Sequence, residues 1–227
     1  PLIGQRFDIS LQNQQWHGHP NPTVDIAVTP LVPILNEIGE KGKKVFFRAI
    51  SHNLVPTPEQ LKQLDAIENI VFIGYPNGQF DTTNLLPIVR TGITASPLQV
   101  DYNGKPVFLV DASVFPGSSG SPVFIYNQGG YGNRGGITIG SRLLFIGVIA
   151  EVMIKHQLNP IGFIPIPTQL QPIVQTEQMI DLGIVFKAST VVETIQDFLT
   201  IVQRYREASA EKSSDESENE DEVSSLN

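Results

Sequence analysis

A chain of 227 residues, 41% hydrophobic and 17% charged, is long enough to bury a sizeable core, and it holds no apolar run long enough to span a bilayer. Its formal charge of −8 is concentrated at one end: seven of the 23 acidic residues and one of the 15 basic ones lie in 211–227, which leaves −2 elsewhere and no basic stripe to neutralise phosphates, so nucleic acid is excluded as an expected partner. The absence of cysteine excludes disulfides, thiolate metal sites and a Cys nucleophile, and it fits a cytosolic or bacterial protein better than a small secreted animal domain.

The first residue is Pro1, with no charged-then-apolar leader after it, so the sequence predicts a true N-terminus upstream and leaves a signal peptide open. Asp25 opens a short apolar stretch, Asp25-Ile26-Ala27-Val28. Thr57-Pro58-Glu59-Gln60 then offers an N-cap hydroxyl, a proline for the first helical turn and a Gln placed to close a capping box, which predicts a helix over 58–66. From Val71 to about Pro167 short apolar or β-branched runs alternate with turn residues, the pattern of an all-β barrel or sandwich. These runs are 71–74, 93–95, 107–110, 122–126, 143–149 and 161–165, and Asn103-Gly104 between two of them predicts a hairpin turn with positive φ angles.

Gly129 to Gly136 contains five glycines but no Gly-Lys-Ser/Thr follows, so it reads as a hairpin loop and not a phosphate cradle. A second helix is predicted from Thr190, with Val191, Ile195, Phe198, Val202 and Tyr205 stepping 4, 3, 4, 3 to form a stripe that should pack on the body. The acidic Ser-rich tail from Glu211 offers too little apolar area to offset the entropy of ordering and is expected to be disordered. Four scattered histidines without clustered carboxylates give no zinc spacing, and no cofactor is expected.

The most specific stretch is Asp111-Ala112-Ser113-Val114-Phe115-Pro116-Gly117-Ser118-Ser119-Gly120-Ser121-Pro122. It resembles the nucleophile loop of trypsin-like serine peptidases with the chymotrypsin fold. Acyl transfer needs a hydroxyl held at a fixed point and backbone N–H donors aimed at the developing oxyanion, and glycines permit the tight turn that supplies both. The resemblance implies Ser119 as nucleophile and the N–H groups of Gly117 and Ser119 as oxyanion hole. It also implies Asp25 as the acid that orients a histidine, because Asp followed by Ile-Ala before a strand is similar to the family's segment.

The runs Phe145–Glu151 and Ile161-Gly162-Phe163-Ile164-Pro165 are similar to the strands that wall the family's specificity pocket, the second being close to bacterial HtrA-like peptidases. By that likeness Ser113, Ala150, Val152 and Gly162 contact substrate, and a small or medium uncharged side chain is the expected preference, with Glu151 able to alter it. Ala150 stands where many relatives carry a Ser that supports the Asp, and Ser118 where animal trypsins carry the Asp that pairs with a newly cleaved N-terminus. That second departure argues against activation of the trypsin kind.

A general base must reach the Ser hydroxyl. His17 and His19 lie only a few residues before Asp25, within the stretch that leads into it, while His52 and His156 fall in the wrong order, so the triad His is expected upstream of Pro1 and the chain alone is expected to be inactive. Gly-x-Ser-x-Gly, the elbow of α/β-hydrolases, is not met because Ser121 stands at its last position.

The resulting expectation is an all-β, chymotrypsin-like double β-barrel acting as an endopeptidase on polypeptides. Residues 1–45 would be the remainder of an incomplete N-terminal barrel and 46–69 an inter-barrel connection. Residues 70–188 would form the C-terminal barrel with the nucleophile, 189–210 a helix and 211–227 a disordered tail. The rival expectation is a protease-like module that binds peptides by strand addition without catalysis.

Overall fold

The computed structural model describes residues 16–133, 135–160 and 173–224. The described residues divide into two compact units, one running over Arg48–Ser189, the other made of 16–47 and 190–224.

The first α-helix of the larger unit is α2, Pro58–Gln63, and the smaller unit holds α1 (Val32–Glu40). The predicted capping box is present: Thr57 Oγ1 accepts from Gln60 N at 3.2 Å and Thr57 N donates to Gln60 Oε1 at 2.9 Å. The helix stops three residues short of the predicted 66, with Leu64 at its C-cap in extended backbone and buried in the core.

Six strands then close a barrel: β3 (Asn69–Gly74), β4 (Ile88–Thr94), β5 (Val107–Asp111), β6 (Pro122–Asn127), β9 (Arg142–Pro160) and β10 (Ile173–Lys187). Between β6 and β9 the glycine-rich stretch makes a small hairpin of β7 (Tyr131–Asn133) and β8 (Gly136–Thr138). The barrel order is β10-β5-β4-β3-β6-β9 and the pairings are antiparallel. Strands β3, β4 and β5 follow one another, but β6 returns to β3, so residues 112–121 must cross the barrel end to join strands that are not neighbours.

The core follows from the alternation of side chains along a pleated strand. Ile70 and Phe72 point inward from β3, and Phe108, Val110, Val123, Ile125, Leu144, Ile146, Ile149 and Val185 meet them. Gly147 is required where β9 approaches β10, because a Cβ there would lie 2.0 Å from the Phe186 carbonyl oxygen. Asn103 and Gly104 take φ of 54° and 72°, as Asn-Gly predicts, although their turn sits inside the longer 95–106 connection instead of closing β4 directly onto β5.

A buried ion pair ties the entry of β3 to β9. Arg142 donates to Glu68 at 2.5 Å, with side chains 10% and 6% exposed, and Arg142 Nε donates to Asn127 Oδ1 at 3.0 Å. Charges taken out of water need such partners, since desolvation otherwise outweighs the attraction.

In the smaller unit β1 (His17–Gly18) pairs with β2 (Ala27–Val28), and α1 buries Ile34 and Ile38, four residues apart on one face. Residues 16–45 therefore hold a two-residue ladder and a helix where the sequence suggested barrel strands, and the described residues contain one closed barrel. Pro30 and Pro33 explain the difference: they stop the strand after Val28 and seed a helix whose first turn tolerates proline.

Helix α3 runs over Ala188–Ser224, starting two residues before the predicted Thr190 and continuing past Glu211, where disorder was expected. Beyond Tyr205 the apolar stripe is spent, so the continuation rests on the local propensity of its Ala, Glu and Lys residues. The buried face also differs from the expected stripe. Thr190 and Thr194 are buried, whereas Ile195 and Tyr205 are 42% and 73% exposed.

Two substitutions test this packing. Glu68→Ala strands the Arg142 charge and is expected to cost about 3–5 kcal/mol in urea denaturation. Thr57→Ala removes only the cap and should cost about 1 kcal/mol in the same measurement.

Candidate functional site

The crossing loop between β5 and β6 carries Ser119, and its path is set by glycines and backbone hydrogen bonds. Gly117 and Gly120 have φ of +84° and +86°, a region that a Cβ disfavours. Two successive tight turns result: Ser118 N donates to Phe115 O and Ser121 N to Ser118 O, each at 3.0 Å. On one side Asn77 N donates to Pro116 O at 2.8 Å, which fastens the loop to the Tyr75-Pro76-Asn77-Gly78 turn at the end of β3. On the other side Gly120 N donates to Ile149 O at 2.8 Å and Ile149 N donates to Ser121 O at 2.9 Å, which clamps it to β9.

Several side chains support the same loop. Val114 is fully buried and fills the space beside Gly183, where a Cβ would lie 2.7 Å from Val114 Cγ2. The Arg90 guanidinium stands 4.7 Å from the centre of the Phe115 ring. Gly74 is needed opposite the loop because a Cβ there would collide with Ser121 Oγ.

Within this frame Ser119 is exposed and its hydroxyl donates to the Ala150 carbonyl at 2.8 Å. The main-chain N–H groups of Gly117 and Ser119 have no protein acceptor among the described residues. An accessible hydroxyl thus lies within two residues of two uncommitted donors, which is the inventory that stabilisation of an oxyanion requires. Ser118 faces the other way: it is 1% exposed and its hydroxyl has no protein partner.

The other expected residues are distributed unevenly around this turn. Ala150 joins Ser119 through its carbonyl, and its neighbour Val152 sits in β9 opposite Gly183. Ser113 is half-buried at the start of the loop, next to Ala112, whose N–H donates to Asp181 O at 2.9 Å. Asp181 itself has φ of +55° in the irregular register between β9 and β10, a place where bulges redirect side chains. Gly162, with the rest of the predicted 161–165 strand, lies outside the described residues. Along 147–152, β9 instead pairs with β10, a strand that the apolar runs of the sequence do not mark.

Asp25 belongs to the smaller unit and Ser119 to the larger. Its carboxylate is exposed and makes no hydrogen bond among the described residues. The nearby imidazoles are committed to helix α3: His17 Nε2 lies 2.7 Å from Asp197 Oδ2, and His19 Nε2 lies 3.3 Å from Glu193 Oε2. The His19 ring is fixed further because Asn21 N donates to its Nδ1 at 2.9 Å. His52 begins an exposed 3₁₀ turn of the larger unit. No described histidine bonds the Ser119 hydroxyl.

Sequence reasoning missed Ile149 and Asn77, which hold the turn by backbone alone and so leave no side-chain signature. Two concavities formed by described residues, of about 680 Å³ and about 290 Å³, lie elsewhere and include neither Ser119 nor Ala150. Among the described residues no group of three or more His, Cys, Asp or Glu side chains is arranged to hold a metal ion.

The chain matches no family model, no curated protein and no solved structure.

Gly117→Ala isolates the backbone requirement. The new Cβ would face Asn77 N at 3.1 Å in a left-handed conformation, so a loss of about 1–3 kcal/mol is expected in urea denaturation.

Proposed function

We propose that this chain is the nucleophile-bearing portion of a trypsin-like serine endopeptidase, with Ser119 attacking the scissile carbonyl and the Gly117 and Ser119 amides receiving the oxyanion. One observation carries the reading: an exposed serine hydroxyl on a glycine-built turn, beside two main-chain N–H groups that no protein acceptor uses among the described residues. The antiparallel barrel supplies the rigid support that such a turn needs, because one side is fastened to the turn that follows β3 and the other to β9. In this reading Ser113, Ala150, Val152 and Gly162 line the substrate cleft and Asp25 orients the base.

The chemistry then runs through an acyl-enzyme. A base withdraws the Ser119 proton, the oxygen adds to the peptide carbonyl, and the departing amine takes the proton from the same base. Among the described residues no histidine bonds the Ser119 hydroxyl, so the reading places the base on a segment upstream of Pro1, and the polypeptide by itself should turn over slowly or not at all.

A second reading is favoured by one contact: the Ser119 hydroxyl donates to the Ala150 carbonyl, a ground state that suits a peptide-binding module with no catalysis. Strand addition along β9 would be its binding mode.

A fluorophosphonate probe separates the two when applied to a chain extended upstream to include its natural N-terminal segment. Stoichiometric labelling that disappears in Ser119→Ala is the expected result. Folded extended protein that stays unlabelled would reject the peptidase and leave the binding module.

A further inference from the structure

The cavity of about 290 Å³ lies away from the Ser119 turn, between α2, the β7–β8 hairpin and the start of β9. Its size is at the small end of ligand pockets, so it suits a compact molecule. At its wall is Arg142, only 10% exposed and held from three directions: by Glu68, by Asn127 and by the Tyr131 ring, whose centre is 4.3 Å from the guanidinium carbon. These contacts use Nε and one terminal nitrogen. The other terminal nitrogen has no protein acceptor among the described residues, so this cavity-lining guanidinium keeps a spare N–H donor.

The remaining polar lining is made of carboxamides and a hydroxyl, Asn53, Gln60, Gln63 and Ser141. Gln60 Oε1 is occupied by the Thr57 amide in the capping box, so its NH₂ is the free end. Leu64 and Leu143 add apolar surface. The Arg142 charge is already balanced by Glu68, and no second cation lines the cavity among the described residues, so an entering anion would meet a neutral site containing a carboxylate neighbour. A neutral carbonyl oxygen satisfies the spare guanidinium donor without that penalty. Carboxamides pair equally well with hydroxyl groups, because each offers both a donor and an acceptor.

We propose that this cavity binds an uncharged, oxygen-rich molecule of monosaccharide size that presents a carbonyl to Arg142 and hydroxyls to Asn53 and Gln63, as an N-acetylated sugar does. The site is independent of the Ser119 reading and stands or falls without it.

Saturation-transfer NMR on the intact chain tests the idea with N-acetylglucosamine, glucose and acetate as probes. N-acetylglucosamine should show transfer, glucose less and acetate none. Gln63→Ala, on the exposed face of α2 and outside the Arg142 network, should weaken the acetamido sugar about fivefold, the value of one hydrogen bond, while Ser119→Ala should leave it unchanged. Absence of transfer from either sugar would overturn the proposal. So would undiminished affinity in both Gln63→Ala and Asn53→Ala, displacement of the sugar by acetate, or loss of sugar binding in Ser119→Ala.

Discussion

Everything at the Ser119 turn depends on the reciprocal pair of hydrogen bonds by which Ile149 accepts from Gly120 and donates to Ser121. Ile149 is 1% exposed and its side chain is anchored in the barrel core, so the loop takes its position from the best-packed part of the larger unit. Neutral hydrogen bonds contribute only about 1 kcal/mol each. Their directional value here is greater: with Asn77 holding Pro116 from the opposite side, residues 116–121 are fixed at both ends and the serine between them has little freedom.

The barrel order explains why such a loop exists. Because β6 returns to β3 and not to β5, the chain must pass over the barrel end, and the ten crossing residues, 112–121, form neither strand nor helix. Its backbone groups have to find partners on the strand ends that they cross. The amides of Ser119 itself and of Gly117, two residues before it, find none among the described residues.

How much of this was legible in the sequence differs by element. The capping box at Thr57 and Gln60 was readable because its partners are three residues apart and act locally. The strands β3, β5 and β6 were readable because their apolar runs are short and bounded by turn residues, and the glycines of the Ser119 loop were readable as makers of a tight turn. Helix α1 was missed: its Ile34 and Ile38 pair is brief, and two prolines disguise its start. Strand β10 was missed because its stretch Gln175-Thr176-Glu177-Gln178 is polar, and pairing with β9 there makes it a strand. The burial of Thr194 in place of Ile195 shows a helical stripe turned by tertiary packing, against the hydrophobic pattern. Of the site, the residue types on the loop were legible, but the supports from Ile149 and Asn77 were not, since main-chain contacts between distant residues carry no side-chain code.

The hydrogen bond from Ser119 to the Ala150 carbonyl bears on the chemistry less than it first suggests. It is an exposed neutral bond, worth about 1 kcal/mol net, and a rotation about χ1 releases the hydroxyl. Loss of a general base in a serine hydrolase costs about a millionfold in rate, equivalent to about 8 kcal/mol. The base outweighs the carbonyl contact severalfold. In the proposed peptidase reading, acyl transfer at this turn would depend on an imidazole reaching the Ser119 oxygen, because the carbonyl contact is weak enough for such a base to displace.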